Sequence, residues 1–461
     1  MSICRVPRFL LTIHLSLCRQ PCAMEFPMKR QRRQKRRGGA RSAAPSMPAS
    51  IDAEVTIDDL GHRGDGVATH DGRRVFIAGA LPGERVRVRL TGPRGHVVEV
   101  LEASPDRVPP GCDHDAVCGG CAVRHMREDA YRVWKRGLVV AALDRCGLDA
   151  PVDPLIDAHG EGRRRVTLHV GFEAGRVRVG FMRAHSRDLF ELHSCPVLAP
   201  ALADAAGIAA TAALPFAARR RPLDIRFTAT ETGLDVNIAS GGEMSYDRQV
   251  ALAACADVHD LARLSLDGDL VVERRQPLLT MGAAKVSPPA GGFLQATRAG
   301  EAAIADLVAA HLDLAASAQM ADLFCGIGPF ALRAASTRTV FAADSDAAAV
   351  AALTQALRFT ANLKSVTTAV RNLSNNPLMA EELAAFDAVV FDPPRAGAED
   401  QAREFATSSV PTVVAVSCDP ATFARDAEIL CRGGYTLQRV TPVDQFKFTA
   451  HVEVVGLFRR A

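Results

Sequence analysis

A cysteine at the end of an apolar run is the residue of this chain that most clearly suggests catalytic chemistry. The run Thr412–Val416 has the length and composition of a buried strand, and Cys418 follows it at a turn before residues 420–430, which have a helical pattern. In an open α/β sheet, ligands bind in the crevice beyond the carboxyl ends of the strands. A thiol there is a candidate nucleophile, because sulfur attacks well as the thiolate. The alternative is a buried structural cysteine.

Two further segments place acidic side chains near such a crevice. Asp392 follows the apolar strand Ala388–Phe391 and precedes a rigid proline pair. A helix cap is the alternative role for this carboxylate. Near the C-terminus, His451 and Glu453 precede the apolar run Val454–Phe458, and we expect both on one face of a strand. Each alone would be ordinary, but together, one strand away in sequence from Cys418, they could supply a general base.

A glycine turn indicates a nucleotide-like ligand. The turn at Gly326 and Gly328 follows a predicted strand over Met320–Phe324 and precedes a predicted helix over 330–336. Glycines let the backbone approach a ligand closely. Asp344 ends the next predicted strand, where an acid can bind ribose hydroxyls. The third glycine of a dinucleotide fingerprint is missing, which favours an adenosine ligand without a pyrophosphate. S-adenosylmethionine fits this description, and a purely structural turn is the alternative.

A third group of residues has the composition of a metal site. Cys112, Cys118 and Cys121 lie close together in the sequence, and Cys195 is the obvious fourth ligand. Four thiolates suit Zn²⁺ or an iron–sulfur cluster, and the spacing alone slightly favours zinc. The uneven spacing of the 12 cysteines argues for metal or catalytic use rather than disulfides. Unligated cysteines are the alternative.

The elements that position these residues suggest an α/β multidomain protein. A chain of 461 residues is expected to form two to four domains. Residues 51–104 alternate in short segments with glycine turns, which predicts a small OB-like β-barrel. Arg85, Arg87 and Arg89 share one face of a strand there. Such a face suits a nucleic-acid backbone, although a solvated face is the alternative.

The rest of the chain divides into two parts. Residues 105–280 are expected to form a central α+β domain that carries the four cysteines, with a helix over about 126–146 and strands over 163–180. From residue 281 to 461, strands alternate with helices, which predicts a Rossmann-like, doubly wound parallel sheet.

The charge of the chain is unevenly distributed. Net charge is +3, yet residues 1–50 hold eleven Lys and Arg and one Glu, so the remainder is net negative. We expect a disordered basic extension, or a start codon assigned too early, with Met24, Met28 or Met47 as the true start. Phe9–Leu17 only weakly resembles a signal peptide. We expect a cytoplasmic protein without a membrane partner, and we expect it to be a monomer.

Taken together, these motifs resemble the RNA 5-methyluridine methyltransferases over residues 51–461. The barrel is similar to the TRAM domain of the ribosomal-RNA members. The resemblance rests on the four cysteines, Gly-Gly-Phe-Leu-Gln295, Asp-Leu-Phe324-Cys-Gly, Asp392-Pro-Pro-Arg, Ser-Cys418-Asp-Pro-Ala-Thr and His451-Val-Glu453.

The resemblance implies a site and a mechanism. It implies that Cys418 adds to C6 of uracil and that Glu453 removes the C5 proton after methyl transfer. It also replaces zinc by a [4Fe-4S] cluster on Cys112, Cys118, Cys121 and Cys195. The residues expected to bind S-adenosylmethionine are Gln295, Phe324, Gly326, Asp344, Asn372 and Asp392. The target uridine must be unpaired or flipped, and 23S ribosomal RNA is the expected substrate.

Three positions depart from the family pattern. Thr297 stands where an asparagine is frequent, Pro329 where a polar residue is common, and Lys447 where a proline is frequent. The alternatives are a tRNA-specific member, a non-catalytic RNA-binding or assembly factor, and a small-molecule methyltransferase. The barrel and the four cysteines argue against the tRNA enzyme. Intact Cys418, Asp392 and Glu453 argue against a non-catalytic factor, and a small-molecule enzyme would not need the arginine-faced barrel.

Overall fold

The computed structural model describes residues 50–173, 175–184, 186–218, 221–313 and 318–460. Nearly all of the predicted basic extension, residues 1–49, lies outside the described residues. Across the described ranges the strands form a six-stranded, a seven-stranded and an eight-stranded sheet, together with a two-stranded ribbon. No helix in these ranges combines the length and the apolar character needed to cross a membrane.

The first sheet is a small barrel-like unit in the order β1-β5-β6-β4-β3-β2. Alternation along β5 explains its core, since Val86, Val88 and Leu90 are buried while the arginines between them point outward. Its strands are β1 (Ile51–Thr56), β2 (Asp59–Leu60), β3 (Gly66–His70), β4 (Arg73–Ala78), β5 (Arg85–Thr91) and β6 (Arg94–Glu102).

The outward arginines of β5 are paired with acids on neighbouring strands. Arg87 lies 2.5 Å from Glu99, Arg85 lies 2.8 Å from Glu102, and Arg89 lies 2.8 Å from Asp52. Glu54 lies 3.4 Å from both Arg85 and Arg87. Cross-strand pairs of opposite charge stabilise a sheet. Four carboxylates therefore balance three guanidinium groups on this face, and its suitability for a nucleic-acid backbone stays a prediction.

The central sheet has the order β10-β9-β8-β11-β12-β13-β14 and is largely antiparallel. Helices α2 and α3 cover one face, where Ile208 and Leu252 pack on Leu168 and Phe227. The elements of this part of the chain are α1 (Glu128–Arg145), β7 (Ile156–Asp157), β8 (Arg165–Glu173), β9 (Arg176–Met182), β10 (Leu189–Glu191), α2 (Ala205–Ala213), β11 (Leu223–Thr230), β12 (Gly233–Ala239), α3 (Tyr246–Val258), β13 (Arg263–Leu266) and β14 (Asp269–Glu273), followed by the ribbon β15 (Leu279–Met281) and β16 (Ala284–Val286), with single 3₁₀ turns at Pro200–Leu202 and Leu214–Phe216.

The third sheet holds the C-terminal part of the chain in the order β19-β18-β17-β20-β21-β23-β22-β7. Strands β17 to β21 are parallel, as the alternating pattern predicted, and β23 is inserted antiparallel between β21 and β22. Its elements are α4 (Arg298–Asp313), β17 (Gln319–Leu323), α5 (Ala331–Ala334), β18 (Thr339–Asp344), α6 (Ala347–Arg358), β19 (Val366–Val370), α7 (Ala380–Leu383), β20 (Ala388–Phe391), α8 (Glu399–Thr407), β21 (Thr412–Ser417), α9 (Pro420–Arg432), β22 (Tyr435–Asp444) and β23 (Glu453–Arg460).

Two segments from the central region pack on this C-terminal sheet. Strand β7 pairs with the end of β22. Helix α1 buries Val139 and Leu143 in the same apolar cluster as Phe423 of α9. The helix predicted over about 126–146 is therefore present, and it supports the C-terminal sheet.

The chain order creates a crevice at one edge of the C-terminal sheet. Strands β17, β18 and β19 run outward in one direction, and β20 and β21 then lie on the other side of β17. The carboxyl ends of β17 and β20 are therefore separated by a topological switch point, where open α/β sheets bind their ligands.

Candidate active site

Cys418 and Glu453 face each other at the ends of two neighbouring strands. Ser417 of β21 pairs with Val454 of β23 in antiparallel register, so the next residues outward are Cys418 and Glu453. Paired residues of antiparallel strands project to the same side of the sheet. Glu453 begins β23, whereas His451 precedes it in the connecting loop. The expectation that His451 and Glu453 share one strand face is corrected.

Two glutamines connect Glu453 to Asp392 at the end of β20. The Nε2 of Gln445 donates to Glu453 Oε1 at 2.9 Å and to Gln295 Oε1 at 2.5 Å. The Nε2 of Gln295 then donates to Asp392 Oδ2 at 3.0 Å. Glu453 Oε2 is buried and has no hydrogen-bond partner among the described residues. One oxygen of this carboxylate is thus fixed, and the other remains able to accept a proton.

Burial and the repulsion between neighbouring carboxylates raise the pKa of both Glu453 and Asp392. Burial raises the pKa of Glu453, and the Asp392 carboxylate raises it further. Burial likewise raises the pKa of Asp392, with a further contribution from Asp344. Glu453 is only 3% exposed. A carboxylate that binds protons this readily is well suited to act as a general base near neutral pH.

The thiol of Cys418 is half-buried next to these carboxylates. Burial raises the pKa of Cys418 to about 11, and the negative charges of Glu453 and Asp392 act in the same direction. The cation Arg395 acts in the opposite direction and lowers this pKa. Its guanidinium donates to His451 Nε2 at 2.9 Å, and burial next to Arg395 lowers the pKa of His451 to about 4. His451 is therefore neutral at ordinary pH.

A buried lysine holds the two ends of the loop between β22 and β23. Lys135 of α1 donates to Asp444 Oδ1 at 2.7 Å, to Phe446 O at 3.3 Å and to the carbonyl of His451. The hydroxyl of Tyr131 donates to the other oxygen of Asp444 at 2.6 Å. This loop carries Gln445 and leads into Glu453, so α1 fixes the position of both.

The segment after the third cysteine also contacts this loop. The backbone N–H groups of Ala122 and Val123 donate to the carbonyl of Phe448 at 2.7 and 3.1 Å. The guanidinium of Arg124 lies 4.6 Å from the Phe448 ring centre. Phe448 has a φ of 65°, a strained value for an aromatic residue. These contacts hold a strained residue beside the site.

The sequence did not reveal these supporting residues. Gln445 lies in the stretch Asp444–Glu453 that indicated a site near the C-terminus, so its position in that stretch could have identified it. Lys135 gave no signal, because a lysine on a helix usually lies in solvent.

Thr297, the departure from the family pattern, has a structural role. Its Oγ1 donates to Ala158 O at 2.6 Å and accepts from Gly300 N at 2.8 Å at the start of α4. Its N–H donates to Gln445 Oε1 at 3.3 Å. The threonine therefore orients the glutamine that holds Glu453.

The glycine turn leaves open space beside Asp344. Gly326 has a φ of 52°, and a Cβ built on it would have no atom within 4 Å. Its N–H donates to Asp344 Oδ2 at 2.9 Å. Phe324, half-buried, precedes this turn with a φ of 59°, and such strain is typical of ligand sites. A ligand can therefore approach the backbone here. Asn372 is exposed, and its side chain accepts from Ser374 N at 3.2 Å in its own turn.

The four predicted metal ligands lie near one another. Burial raises the pKa of Cys118 and Cys195, and that of Cys121 to about 11, and the neighbouring thiolates of the set act in the same direction. Cys112 and Cys195 line one cavity of about 270 Å³. The donor set therefore fits a thiolate-ligated centre in chemistry. Within the described ranges, however, no three His, Cys, Asp or Glu side chains are grouped closely enough to hold a metal ion.

Comparison with known proteins gives consistent matches along the chain. Residues 300–461 match the model of the tRNA (Uracil-5-)-methyltransferase family, and residues 53–98 match the TRAM domain. An uncharacterized RNA methyltransferase of Brucella suis is 42% identical over 90% of this chain and 99% of its own length. The 23S rRNA (uracil(1939)-C(5))-methyltransferase RlmD of Shewanella woodyi is 30% identical over 90% of this chain and 98% of its own.

The fold has a solved relative. The structure of the Pyrococcus abyssi tRNA (uracil-54, C5)-methyltransferase has a TM-score of 0.67, with 19% identity over 88% of this chain and 100% of that chain. This likeness supports the arrangement of the sheets. The sequence relatives extend over nearly the whole described chain, and the chain therefore belongs to the RNA uracil-C5 methyltransferase family.

Proposed function

We propose that this protein forms 5-methyluridine in 23S ribosomal RNA, with S-adenosylmethionine as the methyl donor. The observation that carries the proposal is the pairing of Cys418 with Glu453 across β21 and β23, with Glu453 linked through Gln445 and Gln295 to Asp392. This arrangement supports the assignment of Cys418 as nucleophile, Glu453 as base and Asp392 as a carboxylate on the cofactor side.

The thiol would solve the central difficulty of the reaction. C5 of uracil is too weak a nucleophile to accept a methyl group directly. Addition of the Cys418 thiolate to C6 forms a carbon–sulfur bond and makes C5 enolate-like, so that C5 can form the new carbon–carbon bond. The Arg395 guanidinium favours this thiolate.

Glu453 would complete the reaction. After methylation, C5 carries both the methyl group and its original proton. The free Oε2 of Glu453 takes that proton, the electron pair restores the C5–C6 double bond, and the thiolate leaves C6. The raised pKa of Glu453 suits a group that must first accept the proton and then release it to solvent.

The residues that would hold the methyl donor lie on the other side of the crevice. S-adenosylmethionine would supply the methyl group, whose bond to the sulfonium sulfur breaks as the bond to C5 forms, so that S-adenosylhomocysteine is released. Asp344 would bind the ribose, the open backbone at Gly326 would admit the ligand, and Gln295 and Asp392 would face it. Phe324 lies at the same turn. We keep Asn372 in this set, although its side chain would have to leave its present turn.

A 23S ribosomal RNA substrate is favoured over tRNA by the relatives in sequence. The RlmD relative extends over 90% of this chain, including the TRAM region. The tRNA enzyme of Pyrococcus abyssi is only 19% identical, which supports the fold alone. The modified uridine would be unpaired or flipped, and the site of action would be the cytoplasm.

The experiment that tests the function measures tritium release. Transcripts of 23S ribosomal RNA and of tRNA, each labelled with tritium at uracil C5, are incubated with the protein and S-adenosylmethionine. Release from the 23S transcript alone is expected, with one methylated position found by mapping. Tritium release only from the tRNA transcript would show that tRNA, not 23S ribosomal RNA, is the substrate. No release from either transcript would refute the proposed chemistry.

We also propose that Cys112, Cys118, Cys121 and Cys195 bind a [4Fe-4S] cluster. Thiolate ligation is the chemistry that these four neighbouring cysteines offer once they draw together, and a bound cluster would hold the thiolates that burial otherwise disfavours. Anaerobically purified protein should contain iron and sulfide, and Cys121→Ala should lose both. Stoichiometric zinc without sulfide would contradict the cluster.

A further inference from the structure

We propose that Arg165 and Arg226, on the outward face of the central sheet, and Phe293, whose ring lies against Arg165, form a platform that holds the RNA strand flanking the target uridine. The proposal rests on the function proposed above and adds the surface by which the substrate is held.

Phe293 presents an exposed aromatic ring close to the candidate active site. Its side chain is 72% exposed, although large aromatic residues are normally buried. It lies two residues before Gln295, whose amide donates to Asp392. The guanidinium of Arg165 lies 5.6 Å from the ring centre and donates to Leu294 O at 2.7 Å. An aromatic ring fixed in this way is a suitable surface for stacking a nucleobase.

Arg165 and Arg226 are neighbours on two paired strands. Arg165 of β8 is opposite Thr228 of β11, and Thr167 is opposite Arg226, so both arginines are on the same outward face. Burial and the positive charges of Arg164 and Arg226 lower the pKa of Arg165 to about 10. The two cations therefore repel each other instead of being compensated.

The nearby carboxylates are already engaged. Glu301 pairs with Arg164 at 2.6 Å, and Asp224, two residues along β11 from Arg226, pairs with His169 at 2.7 Å. Among the described residues, neither Arg165 nor Arg226 makes an ion pair. Adjacent uncompensated cations are stabilised by a bound anion. A phosphate backbone next to a stackable base is the ligand that matches both cations and the ring.

The barrel offers the opposite arrangement. Each arginine of β5 is neutralised by an acid on a neighbouring strand. An RNA strand would have to displace these carboxylates before it could bind there. Charge complementarity therefore favours the central sheet over the β5 face as the surface for the strand next to the target.

The test measures RNA binding and its salt dependence, independently of methylation. A fluorescein-labelled single-stranded 20-mer RNA, of a length chosen as roughly one to two single-strand site sizes, is titrated with wild type, Arg165→Gln, Arg226→Gln and Phe293→Ala. The control is Arg178→Gln, because Arg178 lies on β9 of the same sheet but is paired with Glu173 and Glu191. S-adenosylhomocysteine binding and thermal unfolding show whether each variant is folded.

Different changes are expected for the arginines and for the ring. Each platform arginine variant should reduce the slope of log affinity against log salt by about 0.7, the value for one phosphate contact on a single strand. Phe293→Ala should weaken binding on the order of tenfold without changing the slope, and Phe293→Trp should restore it. Arg178→Gln should bind like wild type.

The outcomes separate this proposal from the one before it. Wild-type slopes and affinities in all three platform variants would overturn the platform, as would an equal loss in Arg178→Gln. A protein that binds the RNA through these residues but methylates no uridine would overturn the proposed function and leave the platform standing.

Discussion

The ammonium group of Lys135 lies 2.7 Å from the carboxylate of Asp444, and the two side chains are 0% and 2% exposed. Asp444 ends β22, and the loop that follows carries Gln445 towards Glu453. The position of the proposed base therefore depends on a buried ion pair between α1 and the C-terminal sheet.

Lys135→Met removes one partner of this pair and leaves Asp444 buried without its cation. A loss of about 3–5 kcal/mol in the free energy of unfolding is expected, because breaking a buried pair strands a charge. Denaturant unfolding of the whole protein measures it. Lys364→Met is the control, since Lys364 is exposed and a surface change should cost within about 0.5 kcal/mol. Equal midpoints for the two variants would contradict the role assigned to Lys135.

The proposed roles of Cys418 as nucleophile and Glu453 as base can be distinguished by whether a variant traps a covalent complex with RNA. Glu453→Gln keeps the size of the side chain but cannot accept the C5 proton, so the methylated uridine should remain bound to Cys418. A denaturation-resistant protein–RNA complex should accumulate in Glu453→Gln and be absent in Cys418→Ala. Gel electrophoresis with labelled RNA detects it. Normal turnover without a trapped complex in Glu453→Gln would transfer the role of base to another group.

The raised pKa of Glu453 also predicts how stability depends on pH. The native state holds this proton above the ordinary pKa of 4.5, where the unfolded chain has lost it. Stability falls with rising pH wherever the native state binds more protons. Between about pH 5 and pH 8, the melting temperature of wild type should therefore fall relative to that of Glu453→Gln. Parallel curves for the two proteins would show that the carboxyl group is ionised without cost.

The thiol should respond in opposite directions to its charged neighbours. Arg395→Gln removes a cation that lowers the pKa of Cys418, and Glu453→Gln removes an anion that raises it. Iodoacetamide labelling of Cys418, read by peptide mass spectrometry, should slow by roughly three- to tenfold in Arg395→Gln and accelerate in Glu453→Gln. Arg403→Gln is a control, since that arginine pairs with Glu399 on the surface of α8. Equal labelling rates in all variants would exclude this electrostatic control of the thiol.

The sequence predicted the sheet well because its strands are fully buried. Ala388–Phe391 and Thr412–Ser417 are buried at every position, as expected for central strands covered on both faces. The first residues after these runs that can take part in catalysis are Asp392 and Cys418. Because each follows a strand end, its place at the crevice could be predicted. Buried apolar runs, followed by polar residues at the strand ends, are a local signal.

The support of the site could not be predicted in the same way. Lys135 can be buried because Asp444 balances its charge. That partner lies 309 positions further along the chain, and a helix pattern cannot show it. The partners of the β5 arginines could not be predicted, because their carboxylates belong to β1 and β6. His451 was placed on a strand because the apolar run after it does not show where pairing begins.

The insertion of β23 between β21 and β22 has a consequence for synthesis. The strand that carries Glu453 is the last described element, and the hydroxyl of Tyr131 reaches Asp444 across 313 positions of sequence. Contacts of such separation form late, because distant segments must first meet. A nascent chain that has exposed the barrel and the central sheet therefore still lacks Glu453, the proposed proton acceptor. Chains that terminate before β23 would lack Glu453 and, by the proposed mechanism, would not complete the reaction.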